Sequence, residues 1–312
     1  MMTVSEEKSV DYEITARIAT EAFESKEVVF SASRMKWLYE SGFGGGSAIV
    51  AAFDGDKKVG QIALLHQTVY LDGKPVAAIQ LVDLFILRAY RSPQLVRRIY
   101  QEVERLCQAG RIRLVLTLPN ANSARLNERL LKLRPFLTLP PRVGVGFWRP
   151  RLSNLKFSGR LKSMPRHEAV DLLSDFVTPA SENGPHWDAE TLYDRMNDPT
   201  RDYAVHATAD LLLISSSRRT RGIRHALLCG FFARPGAVVT SSAVHKLVRA
   251  ACRFWKHRIF VYAGVNKSLP SLPGLALPDR FRPPILVQMR DFDTDRPDLR
   301  LDRFQLIDSD FV

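Results

Sequence analysis

The segment from residue 79 to residue 136 constrains this chain more than any other. It reads as an apolar strand (79–87), an arginine-flanked loop (Arg88-Ala89-Tyr90-Arg91-Ser92-Pro93), an amphipathic helix, a second strand (113–118), and Pro119-Asn120 opening another helix. From Gln94 onward Leu95, Ile99, Val103 and Leu106 recur at helical spacing, with Arg97, Arg98, Gln101, Glu102 and Arg105 on the opposite face. Gly110 is placed to stop that helix. A strand that feeds a helix through a tight turn leaves backbone N–H groups and the positive end of the helix dipole facing outward. Such a turn is an anion site by construction.

Charge points to the same place. The chain holds 45 Lys+Arg and 33 Asp+Glu; sixteen Lys/Arg and three Glu lie between residues 84 and 160, a local net of +13. The remainder carries 29 basic and 30 acidic residues. So local an excess favours a polyanionic ligand or an acidic partner. Nucleic acid is disfavoured, because the segment lacks interleaved aromatics and any nucleic-acid motif. An anionic membrane surface suits the charge, but no lipidation signal or amphipathic anchor indicates it.

The order of elements carries a resemblance. A strand, an Arg-x-Tyr-Arg turn ending at Arg91, a helix, a strand, a Pro-Asn-x-x-Ser turn from Pro119 to Ser123, a helix and then Phe136 resemble the GCN5-related N-acetyltransferase (GNAT) superfamily. Upstream, residues 48–65 read as a hairpin turning at Asp54-Gly55, and Val59-Gly60 resembles the start of a family strand. The resemblance covers residues 11–148, about half the chain. It implies an acyl thioester at the 88–98 turn, with Phe85, Ile86, Leu87, Arg88, Arg91, Ser92, Gln94, Leu95, Val96, Arg97, Asn120 and Ser123 as donor-binding residues.

The family's turn carries glycines that admit backbone amides to a coenzyme A pyrophosphate. Here Gln94 and Val96 stand in those places, and Pro93 lacks an N–H. Arg88, Arg91, Arg97 and Arg98 are expected to compensate through charge-assisted contacts. GNAT chemistry is attack of an amine on a thioester, which needs a base for the amine and an acid for the thiolate. Asp83, a carboxylate inside an apolar strand, is the expected base. His66 and Tyr90 are further catalytic candidates. The family's acid, a tyrosine seven residues after the turn asparagine, is replaced by Asn127.

At 312 residues the chain predicts two domains. A basic stretch punctuated by Gly, Ser and Pro at 150–165 marks the expected boundary, giving domains 1–150 and 151–312. Beyond it come helices (167–176, 186–196), strands (202–207, 211–215, 223–233), the turn Arg234-Pro235-Gly236, a helix (242–257) and a strand (259–264). That order repeats the first half, so the expected fold class is α/β: two tandem GNAT-like domains, each a mixed twisted sheet flanked by helices. A proline-rich stretch after Val265 replaces the helix expected there, and two strands (284–290, 303–307) close the chain. The tail Asp308-Ser309-Asp310 resembles the acidic ending of tandem members. Cys107, Cys229 and Cys252 lack pairing or ligand spacing, as do the histidines, so neither a disulfide nor a metal is expected. The acidic start without an apolar core region predicts no signal peptide and a cytoplasmic location.

The activity implied is transfer of an acyl group to an unidentified amine, with no prosthetic group. The donor is acyl-CoA or an acyl carrier protein, whose acidic surface suits the arginine-rich segment. The alternative is a non-catalytic GNAT pair that keeps an anion or acyl-ligand pocket.

Overall fold

The computed structural model describes residues 1–23, 30–146, 155–177, 182–293 and 299–310. Trp148 and the first part of the expected linker at 150–165 lie outside them. The first half contains β1 (Met2–Glu6), α1 (Tyr12–Phe23), α2 (Ala32–Glu40), β2 (Ser47–Asp54), β3 (Lys57–Leu71), β4 (Lys74–Ile86), α3 (Pro93–Ala109), β5 (Leu114–Thr117), α4 (Ala121–Leu131), β6 (Arg134–Leu139) and β7 (Arg142–Val145). The second contains β8 (Phe157–Gly159), α5 (Arg166–Ser174), β9 (Gly184–Pro185), α6 (Ala189–Arg195), β10 (Tyr203–Ala207), β11 (Leu211–Thr220), β12 (Ile223–Ala233) and α7 (Ser241–Phe254). It closes with β13 (Ile259–Tyr262), β14 (Gly264–Asn266), β15 (Leu275–Ala276), β16 (Ile285–Asp291) and β17 (Arg303–Gln305). Among the described residues no helix is long and apolar enough to cross a membrane.

Two sheets repeat one plan. In the first, β2, β3 and β4 pair antiparallel, and α3 carries the chain over to β5, parallel to β4. In the second, β10, β11 and β12 pair antiparallel, and α7 carries the chain to β13, parallel to β12. Each crossover helix hides an apolar stripe. That of α3 is Leu95, Ile99, Tyr100, Val103 and Cys107, with Leu106 only half-buried, so the stripe is turned slightly from the expected one. All three cysteines are buried and free.

The expected boundary near residue 150 is crossed in both directions. The sheets run β1-β2-β3-β4-β5-β16-β6 and β15-β7-β13-β12-β11-β10-β8. Thus β16, from the end of the chain, lies between β5 and β6, while β7, from the first half, lies beside β13. A parallel strand left at a sheet edge would expose unpaired backbone groups. Here each half covers the other's β5 or β13. The two closing strands accordingly part company: β16 enters the first sheet and β17 pairs with β14. One continuous core runs from Ala16 in α1 to Ile307 near the end of the chain.

Candidate active site

The site begins where a strand pair ends. β4 and β5 are paired only from Ala78 with Leu114 to Leu81 with Thr117. Two residues further, Asp83 adopts a left-handed backbone (φ 51°), and the register with β3 slips between Gln61 and Ala63. Asp83 and Leu84 together face Ile62, a bulge that bends β4. Aspartate tolerates this conformation far better than the branched residues around it. The Thr117 hydroxyl donates to the Leu81 carbonyl at 3.1 Å, satisfying the last rung of the ladder. Beyond it the strands part and a wedge opens.

The wedge encloses about 200 Å³, and its lining includes Ile62, Asp83, Tyr100, Thr117, Asn127 and Asp310. Through Phe23, Leu84, Asn120 and Ser123 it joins a cleft of about 660 Å³ between the end of α1, the start of α3 and α4. Two carboxylates from distant parts of the chain therefore line the one wedge. Asp83 accepts a hydrogen bond from the Tyr39 hydroxyl at 2.8 Å, which itself accepts from Gln61 at 2.9 Å. Asp310 accepts from Gln80 at 3.1 Å, and Gln80 accepts from Gln67 at 2.9 Å. Burial raises the pKa of Asp83, against the opposing pull of Arg34 and the Tyr39 hydroxyl. Burial, then the negative charge of Asp83, pushes Asp310 up to about 6, against Arg34 and Arg195. Both carboxyls thus hold a proton more readily than an ordinary aspartate, and Asp310, at about 6, is suited to accept one near neutral pH.

The helix start in the cleft is largely self-satisfied. Ser92 caps α3, its hydroxyl accepting from the Leu95 N–H at 3.2 Å, and the Val96 N–H donates to the Ser92 carbonyl at 3.1 Å. Pro93 has no N–H to offer. Gln94 is left as the first-turn donor that neither the cap nor the helix uses. Arg91 donates to the carbonyls of Ile86 (3.0 Å) and Ala22 (2.6 Å), bolting the turn to β4 and α1. Arg98 donates to the Met2 carbonyl at 3.1 Å. Arg97 and, from α4, Arg129 stand at the cleft with no ion pair among the described residues.

Of the expected donor residues, Phe85, Ile86, Arg91, Ser92, Val96, Arg97, Asn120 and Ser123 line the cleft. Leu87 and Leu95 are buried in the core, while Arg88 and Gln94 are exposed beside it. Of the catalytic candidates, only Asp83 lies in the wedge. The Tyr90 hydroxyl lies 3.4 Å from Asp54 at the β2–β3 turn, with the Lys57 ammonium 5.6 Å from its ring centre. His66 is half-buried further along β3 against Gly45, and burial lowers its pKa. Asn127 is buried and accepts from the Tyr100 hydroxyl at 2.6 Å. Tyr39, Gln61, Gln80 and Asp310 were not expected here. The glutamines carried a signal, being polar residues inside apolar strands; Asp310 carried only its acidity.

The sequence matches no family model and no curated protein. Solved structures do match. An Enterococcus faecalis protein described as a probable N-acyltransferase superposes with a TM-score of 0.63 at 11% identity, over 93% of this chain and 73% of the other. The fold is that of the GNAT proteins. A GCN5-related N-acetyltransferase from Anabaena variabilis gives 0.61 at 12% identity, over 93% of this chain and 73% of its own. Saccharomyces cerevisiae N-myristoyltransferase with bound myristoyl-CoA gives 0.59 at 12% identity, over 98% and 83%. At such identities the likeness is one of fold. It extends over both halves of the chain, so the tandem GNAT arrangement is part of it.

Proposed function

We propose that this chain is an N-acyltransferase that moves an acyl group from a thioester to an amine. The observation that carries the reading is the wedge opened by the Asp83 bulge, which joins a cleft of acyl-donor size and holds two carboxylates of raised proton affinity. The donor's pantetheine arm would enter through the cleft and bring its carbonyl carbon into the wedge. The amine nitrogen bonds to that carbon, and its proton passes to the Asp83–Asp310 pair. The carbon–sulfur bond then breaks, and the departing thiolate, with a pKa near ~8–9, takes its proton from water. The N-myristoyltransferase neighbour was solved with a donor of this class, myristoyl-CoA.

The self-capped α3 start supports a donor that asks little of backbone amides. A carrier-protein thioester lacks the adenosine pyrophosphate, and an acidic carrier suits the arginine-rich segment. Acyl carrier protein is therefore expected to serve at least as well as acyl-CoA. Thiol release followed with both donors over a panel of amines tests this. Release that depends on an amine supports the transferase. Donor binding without release under any pairing would favour a non-catalytic acyl-binding protein instead.

A further inference from the structure

Beside the carboxylate pair, where the two halves meet, lies a cluster of cations that the transfer step does not use. Arg34 on α2 and Arg201 in the loop before β10 share a single carboxylate oxygen of Asp198, at 3.9 Å and 3.7 Å from their Nε atoms. Both separations are beyond hydrogen-bond length. The other Asp198 oxygen is taken by the Thr200 N–H and hydroxyl, each at 2.7 Å. Arg195, fully buried, stacks on Trp37 and Phe43 and donates to the carbonyls of Ile307 and Ser309, adding charge to the same neighbourhood. Among the described residues, Asp198 is the one carboxylate paired with Arg34 or Arg201. Among them, too, the buried Arg201 Nη1 and the hydroxyl of Tyr203, a side chain only 4% exposed, have no hydrogen-bond partner. Buried donors left without a partner are costly unless an acceptor joins them.

We propose that the acceptor amine carries an anionic group, a carboxylate or a phosphate, received by Arg34, Arg201 and the Tyr203 hydroxyl. This rests on the acyl-transfer reading above. A two-oxygen anion matches the guanidinium fork, and the tyrosine supplies a third donor. Arg34 and Arg201 retain 11% and 20% side-chain exposure, so their side chains meet solvent at the edge of the cluster, with the Arg201 Nη1 and the Tyr203 hydroxyl buried behind them. Its position suits the chemistry. Arg34 precedes Tyr39, the residue that holds Asp83, by five positions on α2, about 7.5 Å along the helix axis. Arg34 is also near enough to Asp83 and Asp310 to pull against the raised pKa of each, so one small molecule can bring its amine to that pair and an anionic group to Arg34. Polyamines would meet like charge instead, and a neutral amino sugar would leave the donors unpaired.

The experiment measures thiol release, with acyl-CoA and acyl carrier protein as donors, for matched amines. These are the proteinogenic α-amino acids against their α-carboxamides, and phosphoethanolamine against ethanolamine. At least one anionic amine should exceed its neutral partner by roughly tenfold or more in kcat/KM. Whether the carboxylate or the phosphate series responds identifies the anion. Arg201→Met should raise KM for that amine and erase the preference, and Arg201→Lys should restore part of it. Thermal shift with the same amines in the absence of donor supplies a readout independent of turnover. An anionic amine should raise the Tm of the wild type and not that of Arg201→Met. Equal use of the neutral partners would overturn the inference while leaving the transferase intact. Absence of any anion-dependent Tm shift would overturn it even if no amine were acylated.

Discussion

The two sheets open the same wedge and use it oppositely. In the second sheet β12 and β13 are paired only to Leu228 with Tyr262, and the register of β11 with β12 then slips around Cys229, as it does around Asp83 in the first. There the gap is filled by the protein itself. The Gln305 side chain accepts from the Phe231 N–H at 2.9 Å and donates to the Phe231 carbonyl at 3.0 Å, as a neighbouring strand would. The Tyr262 hydroxyl, at 3.2 Å from Gln305 Oε1, and the Asn266 amide complete the plug. The first wedge has no such plug among the described residues and keeps a cavity. A splayed strand pair leaves backbone groups unpaired, so it must be closed by its own chain or by a ligand. Moreover, the segment that plugs the second wedge runs on to place Asp310 in the first. One domain is closed in the course of equipping the other.

The sharpest way to break this contrast is at Asp83. Asp83→Asn should reduce kcat by about 10²–10⁴ with donor affinity and folding nearly intact. A mutant that loses stability but keeps its rate per folded molecule would make Asp83 a structural feature of the bulge. Gln305→Leu probes the plugged wedge. It strands the buried Phe231 N–H, at about 1–3 kcal/mol, while the Asn266 amide still serves the Phe231 carbonyl. Urea unfolding should show a lower midpoint at unchanged m, and a midpoint equal to wild type would mean that the plug is incidental.

The carboxylate pair gives a pH signature. With Asp310 raised to about 6, activity should fall as pH drops through that region, because the base is then protonated. Asp83→Asn removes the neighbouring charge that helps to raise Asp310, so the acid limb of whatever activity that variant keeps should move to lower pH. Stability has the opposite sense. A carboxyl whose folded pKa is raised binds more protons folded than unfolded, so its contribution weakens as pH rises from about 4 through about 6. The Tm of Asp310→Asn should therefore gain on wild type across that window; no relative gain would place Asp310 in a more polar setting. The smallest effect concerns the donor turn. Ser92→Gly frees the Leu95 N–H at a cost of a few tenths of a kcal/mol. It should shift donor preference toward acyl-CoA, and an unchanged ratio of kcat/KM values would separate the cap from donor choice.

What the sequence disclosed follows chain distance. The strand, turn, helix and strand from residue 79 to residue 118 depend on local period and capping, and they form as expected. Asp83 stood out because a carboxylate in an apolar strand is expensive, yet its bulge depends on register with β3 and leaves no local pattern. His66 and Tyr90 had suitable chemistry, but strand position and the β2–β3 turn place them outside the wedge. Asp310 and Tyr39 reach it from far along the chain, through packing that no short window contains. The exchange of β7 and β16 was hidden for the same reason: β16 reads as an ordinary strand whichever sheet it joins, and the four residues of β7 are too few to announce a strand.

The central claim is that the first wedge holds the donor and the second cannot. Hydrogen–deuterium exchange of the full chain, with and without a non-hydrolysable acyl-pantetheine thioether, tests it most directly. Slower exchange confined to residues 82–97 and 118–130, with residues 226–243 unchanged, is the predicted result. Protection that appears at residues 226–243 and is absent from the first wedge would contradict it.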